Sequence, residues 1–161
     1  MEKFVESGDK TIFAINFDSL ERLVIQTIMY IFISDKLKTD NMSYDDSINY
    51  EKLAKKFNDR LFLGFIGNRN KDIKIDLSVD EIRKLFLITM EAYNIKKDEN
   101  YILKEKVNQM EIEGLEKNKI IEMKKELMEH TKDYHQIMEL NQKFLKFMKN
   151  NSIYFFKDSN E

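Results

Sequence analysis

Asp18-Ser19-Leu20-Glu21-Arg22-Leu23-Val24-Ile25-Gln26-Thr27-Ile28-Met29-Tyr30-Ile31-Phe32-Ile33-Ser34-Asp35-Lys36-Leu37 is the stretch that decides the fold class. An aspartate followed three residues later by a glutamate is a capping box, in which each side chain takes a free N–H of the first helical turn. No charge falls within residues 23–33, so the helix that follows has no wide polar stripe. A helix apolar nearly all round is covered by protein on most sides. The run is too short to cross a bilayer, which needs about 20 apolar residues. The stretch therefore predicts the buried central helix of a mainly α helical bundle.

Working outward, Phe13, Ile15 and Phe17 alternate within residues 11–17 and predict a short strand. On the other side, residues 38–47 are a polar connection in which Asp46 or Ser47 is expected to cap the next helix. Leu53, Phe57, Leu61 and Phe65 then recur every four residues, with Gly64 and Gly67 marking where that helix loosens and stops. Ile73, Ile75 and Leu77 predict a second strand, and Ser78-Val79-Asp80-Glu81 a second capping box. The helix it opens is expected to end near Tyr93 and Asn94, with another beginning near Asp98 and bending or breaking at Gly114. Asp133-Tyr134-His135-Gln136 reads as a third capping box, which would fold residues 115–149 into a helical hairpin. The segment Ile153-Tyr154-Phe155-Phe156 is too apolar for a free tail and is expected to dock, as a third strand or in a groove. No repeat with a period of 20–50 residues is visible. The expectation is one domain over residues 1–161, with a central-helix core at 11–95, a long helix plus hairpin at 98–150 and a docked tail at 152–156.

Composition narrows the function classes. Charged residues are 35% and apolar residues 42% of 161, which fits a globular chain. Without cysteine there are no disulfides, thiolate metal ligands or thiol nucleophiles. Without proline nothing forces a helix to end. The first ten residues carry no apolar run, so a cytoplasmic chain is the expectation. Net charge is −2, and Arg22, Arg60, Arg69 and Arg83 are the only arginines among 27 basic side chains. Nucleic-acid binding asks for a basic excess and for bidentate guanidinium contacts, so it is not expected. The abundance of Lys, Asn, Ile and Phe fits an AT-rich bacterium or one of its mobile elements.

Candidate chemistry is sparse. His130 and His135, with Glu126 and Asp133 close by, would approach a metal site only if a turn lay between the histidines. Asp45 and Asp46, with Asp40, lack the ligand spacing of a calcium loop. The loop from Gly64 to Lys71 follows a helix, whereas phosphate cradles open one. There is no Gly-x-Ser-x-Gly elbow. No cofactor and no catalytic residue is therefore expected. The surplus of apolar helix faces points instead to an adaptor or inhibitor that binds a protein partner or itself. Its candidate contact residues are Leu127, Met128, Tyr134, Ile137, Phe144, Phe147, Met148, Tyr154, Phe155 and Phe156.

Ile75-Asp76-Leu77-Ser78-Val79-Asp80-Glu81-Ile82-Arg83-Lys84-Leu85-Phe86, followed by Ile121-Glu122-Met123-Lys124-Lys125-Glu126-Leu127 and the closing hairpin, resembles the helicase-binding C-terminal region of bacterial primases. The resemblance covers less than half of the chain. It implies an all-helical bundle whose hairpin docks on the replicative helicase.

Overall fold

A computed structural model describes residues 11–38, 43–67 and 72–154. The fold is mainly α, with four helices and one two-stranded sheet among the described residues. The order is β1 (Ile12–Phe17), α1 (Ser19–Lys38), α2 (Tyr44–Gly67), β2 (Ile73–Ser78), α3 (Val79–Ile112) and α4 (Lys117–Asn150). The strands pair antiparallel, with Phe13 opposite Leu77, Ile15 opposite Ile75 and Phe17 opposite Ile73. Alternation puts these six on one face of the sheet, where they meet the core.

Strand, cap, helix, helix occurs twice. Phe13, Ile15 and Phe17 lead to the cap Asp18, and Ile73, Ile75 and Leu77 lead to the cap Ser78. Two of the three predicted boxes form, those at Asp18 and Ser78. Glu21 N–H donates to Asp18 Oδ1 at 2.7 Å and Asp18 N–H to Glu21 Oε1 at 3.0 Å. Glu81 N–H donates to Ser78 Oγ at 3.2 Å and Ser78 N–H to Glu81 Oε1 at 3.0 Å. Each box is then pinned by a lysine from the second helix of the other half. Lys143 reaches Glu21 Oε2 at 2.8 Å and the Asn16 carbonyl. Lys56 reaches Glu81 Oε1 at 2.8 Å and the Asp76 carbonyl at 3.1 Å. Asn16 and Asp76 both stand two residues before their caps. The two lysines share a motif, Leu53-x-x-Lys56-Phe57 and Leu140-x-x-Lys143-Phe144, and both leucines and both phenylalanines are buried. Ile25, Ile28 and Met29 on α1 are buried at the positions that Leu85, Ile88 and Thr89 hold on α3. The chain is thus a βαα unit repeated about a two-fold relation centred on Ile15 and Ile75. Its spacing is longer than 20–50 residues and unequal along the unit, so periodicity alone does not display it.

The core lies between the sheet and these helix faces. α1 packs against α2, α3 and α4, yet among the described residues these leave part of its surface open. Leu23, Tyr30 and Ile31 remain exposed, which corrects the expectation of a helix covered nearly all round. Arg22, 1% exposed, instead takes an inward position and donates to the Phe17 carbonyl at 2.6 Å, closing the β1–α1 corner. α2 begins earlier than expected, because Ser43 Oγ accepts from Asp46 N–H and caps it. Asp45 and Asp46 are therefore its first-turn acids, favourable at the positive end of the helix dipole.

Two larger corrections concern the C-terminal helices. α3 runs through Asn94 to Ile112, and α4 runs through Asp133 to Asn150, so no hairpin turn lies near His130. Asn94 and Asp133 are tolerated in a helix when their neighbours pack, and no glycine or proline occurs there to stop it. The hairpin is made of α3 and α4, and its turn is at Gly114, where the break was expected. Gly114 adopts φ 66°, Leu115 N–H bonds the Met110 carbonyl and Gly114 N–H the Glu111 carbonyl. That is a Schellman ending, which needs a left-handed residue. Ser152, at φ 55°, closes α4 the same way, with Ile153 N–H on the Met148 carbonyl at 2.8 Å. The segment after it adds no strand among the described residues. Ile153 packs against the core, and the Tyr154 carbonyl accepts from Arg83 Nε at 2.7 Å. Phe155 and Phe156 lie outside the described residues.

Candidate functional site

α3 and α4 are 34 residues each, against 20 and 24 for α1 and α2. The excess forms an arm. No member of the hydrophobic core lies within residues 96–133, so among the described residues this part of the hairpin is held by its own two helices. At about 1.5 Å per residue it extends roughly 25 Å.

The arm's seam follows heptads. Tyr93, Lys96, Asn100, Leu103, Val107 and Met110 on α3 alternate three and four apart, as do Ile120, Met123, Leu127, His130, Tyr134 and Ile137 on α4. All of these are buried or half-buried. This is the spacing of a left-handed coiled coil. Toward the tip the seam is apolar, whereas at the base it is polar. The Tyr93 and Tyr134 rings stack at 5.3 Å, and Tyr134 donates its hydroxyl to that of Tyr93 at 3.2 Å. That bond holds the Tyr134 hydroxyl above its ordinary pKa. Asn141 Nδ2 donates to Thr89 Oγ1 at 2.9 Å and the Phe86 carbonyl at 3.2 Å.

One turn further out, a relay crosses the seam at Asn100, which is 5% exposed. Thr131 Oγ1 donates to the Leu127 carbonyl at 2.8 Å and accepts from Asn100 Nδ2 at 2.9 Å. The amide's other hydrogen points to His130 Nδ1 at 3.3 Å, and His130 Nε2 faces Glu99 Oε2 at 3.0 Å. The carboxylate opposite Nε2 favours a proton on that nitrogen, which then donates to Glu99. The His130 contact, helped by Lys96, holds the Glu99 carboxyl below its usual range. Polar groups at such seam positions fix register, because any slip leaves them without partners.

His130 is turned toward α3, and His135, about 140° away on the same continuous helix, is exposed, as are Glu126 and Asp133. The four candidates do not converge. Among the described residues no group of three or more His, Asp or Glu is placed to hold a metal. Asp45 and Asp46 sit in the first turn of α2, while Asp40 and residues 68–71 of the glycine loop lie outside the described residues.

The contact candidates divide. Ile137, Phe144 and Met148 are core, and Phe147 packs edge-on against Phe13 at 5.2 Å. Leu127 and Tyr134 belong to the seam. Met128, at 72% exposed, and Tyr154 are open to solvent. Sequence reading missed Ile95, Tyr101, Ile102 and Ile121, all exposed on the arm. Continuing the heptads through 93–110 and 120–137 would have placed them outside the seam. A second apolar surface lies between α1 and α2, a shallow cavity of about 670 Å³ lined by Leu23, Gln26, Tyr30, Ile31, Ala54 and Lys55.

Among the described residues no helix is long and apolar enough to cross a membrane. β2 departs from the all-helical bundle implied by the primase resemblance, since residues 75–78 of the quoted segment are strand. Compared with known proteins, the chain matches no family model, no curated protein and no solved structure.

Proposed function

We propose that this chain is a non-catalytic protein–protein interaction protein, an adaptor or inhibitor, whose docking element is the α3–α4 arm. One observation carries the reading. The arm is present in only one of two otherwise matching βαα units, adds nothing to the shared core, and exposes large apolar side chains along its length. Exposed apolar surface on an element that does not build the core is the signature of a surface that something else covers.

The test compares three chains in a pull-down from the source lysate. One is the full protein, the second has residues 97–130 replaced by a short turn, and the third carries Tyr101→Glu and Met128→Glu. A stoichiometric partner held by the full chain and lost by both variants, with their thermal midpoints still cooperative, is the expected result. A partner retained without the arm would move the docking site to the α1–α2 surface, where Tyr30→Glu is the next variant.

A further inference from the structure

The arm is electrically two-faced. Lys124 on α4 pairs with Glu111 on α3, which identifies the side on which the e positions of the two heptads meet. That side also carries Lys97 and Lys104, surrounding the exposed Tyr101, Ile121 and Met128. The opposite side, where the g and c positions lie, carries Glu99, Glu122, Glu126, Glu129 and Asp133 beside the exposed Ile95 and Ile102. Neither face is uniform. Lys106 and Lys119 lie on the acidic side and Glu111 on the basic one, yet the net signs are opposite. Both faces are long, apolar at intervals and built on the same rigid pair of helices.

We infer that the arm's covering is the arm of a second copy of this chain, the basic Tyr101–Met128 face of one copy docking on the acidic Ile95–Ile102 face of the next. This rests on the arm being the docking element. Opposite charge brings the faces together and fixes which sides meet, while the apolar side chains supply the burial. Tyr101 and Met128 suit this, one as a large amphipathic anchor and the other as an adaptable filler. Because each copy carries both faces, the contact is heterologous. It leaves a free face at either end, so assembly grows with concentration unless rotation closes it into a ring. A symmetric dimer would instead oppose like charges.

Light scattering on the full chain at rising concentration tests the inference. At about 50 mM salt the average mass is expected to rise at least about twofold over the monomer, and to fall back toward it at about 500 mM, where screening is short-ranged. Lys97→Glu with Lys104→Glu makes both faces acidic, and Glu126→Lys with Glu129→Lys makes both basic. Each variant alone is expected to stay monomeric with an unchanged thermal midpoint, since all four positions are exposed. Mixed one to one, the two variants are expected to associate again. A wild-type monomer throughout, or variants that associate alone, or a mixture that does not, would each overturn the inference. If the wild type is monomeric but a different protein is still lost with the arm, self-docking fails while the arm remains the docking element.

Discussion

Leu53, Lys56 and Phe57 in the first βαα unit occupy the places that Leu140, Lys143 and Phe144 occupy in the second. Up to the ends of α1 and α2 the two units obey the same rules, with apolar strand alternation, a capping box, a buried stripe and a lysine crossing to the other unit's cap. Beyond that point only the second unit continues, and the character of its packing changes. In the shared part, side chains meet neighbours from several elements and the buried groups are almost all apolar. In the arm, among the described residues, each helix packs on the other, and the seam at the arm's base is set by Asn100, His130 and Thr131. The difference separates what makes the domain stable from what the domain presents. A two-helix layer buries too little for independent stability, so the arm depends on the core for its existence while the core has no need of the arm.

The comparison is most exposed to failure at the paired phenylalanines. Phe57→Ala and Phe144→Ala are each expected to cost about 3–5 kcal/mol in denaturant unfolding. Unequal losses, with one below about half of the other, would break the equivalence of the units. Next come the caps. Asp18→Ala and Ser78→Ala are each expected to cost about 1 kcal/mol and to lower the thermal midpoint by about 2–4 °C, and similar shifts would sharpen the match. A smaller effect tests how the units end. The described part of α2 reaches Gly67, and Ser152 closes α4 in the left-handed region. Ser152→Gly is expected to stabilise by about 0.5–1 kcal/mol, and a destabilised variant would mean that the serine side chain matters more than its backbone.

The smallest effect belongs to the arm and to pH. Glu99 has its carboxyl held down by His130 in the folded chain. Its contribution is therefore present above the ordinary carboxylate pKa and is lost as pH falls through the lowered folded value. Glu99 is half exposed, so solvent screening limits the effect to a few tenths of a kcal/mol, on the order of other surface pairs. Hydrogen exchange corrected for intrinsic rates is expected to rise in residues 96–133 below about pH 4.5, before it rises in the core. Glu99→Gln should remove that early step. Simultaneous opening of arm and core would contradict the division drawn here.

Much of the fold is legible because its signals are local. Both strands, both working capping boxes and the Gly114 break follow from nearest-neighbour chemistry, and no tertiary contact opposes them. The failures at Asn94 and Asp133 share a cause. Each residue is a plausible helix end by itself, and each lies in a helix whose next heptad packs across the seam. The stripe of α1 was misjudged for a different reason: apolar content states what burial would gain, not how many neighbours exist to provide it. Of the contact candidates, Met128 and Tyr154 are exposed, while Ile137, Phe144 and Met148 are core. Helical spacing marks an apolar face without saying whether that face looks inward.

The sequence by itself determined a mainly α chain with two short strands, two capped helix starts and a helix break at Gly114, since each depends on residues within a few positions of one another. Only the tertiary structure decided that the strands pair with each other, that two lysines cross between units to hold the opposite caps, and that the long helices leave an arm beyond the core. Those outcomes depend on which surfaces meet after the chain has folded back on itself. No window of sequence contains both partners of such a contact.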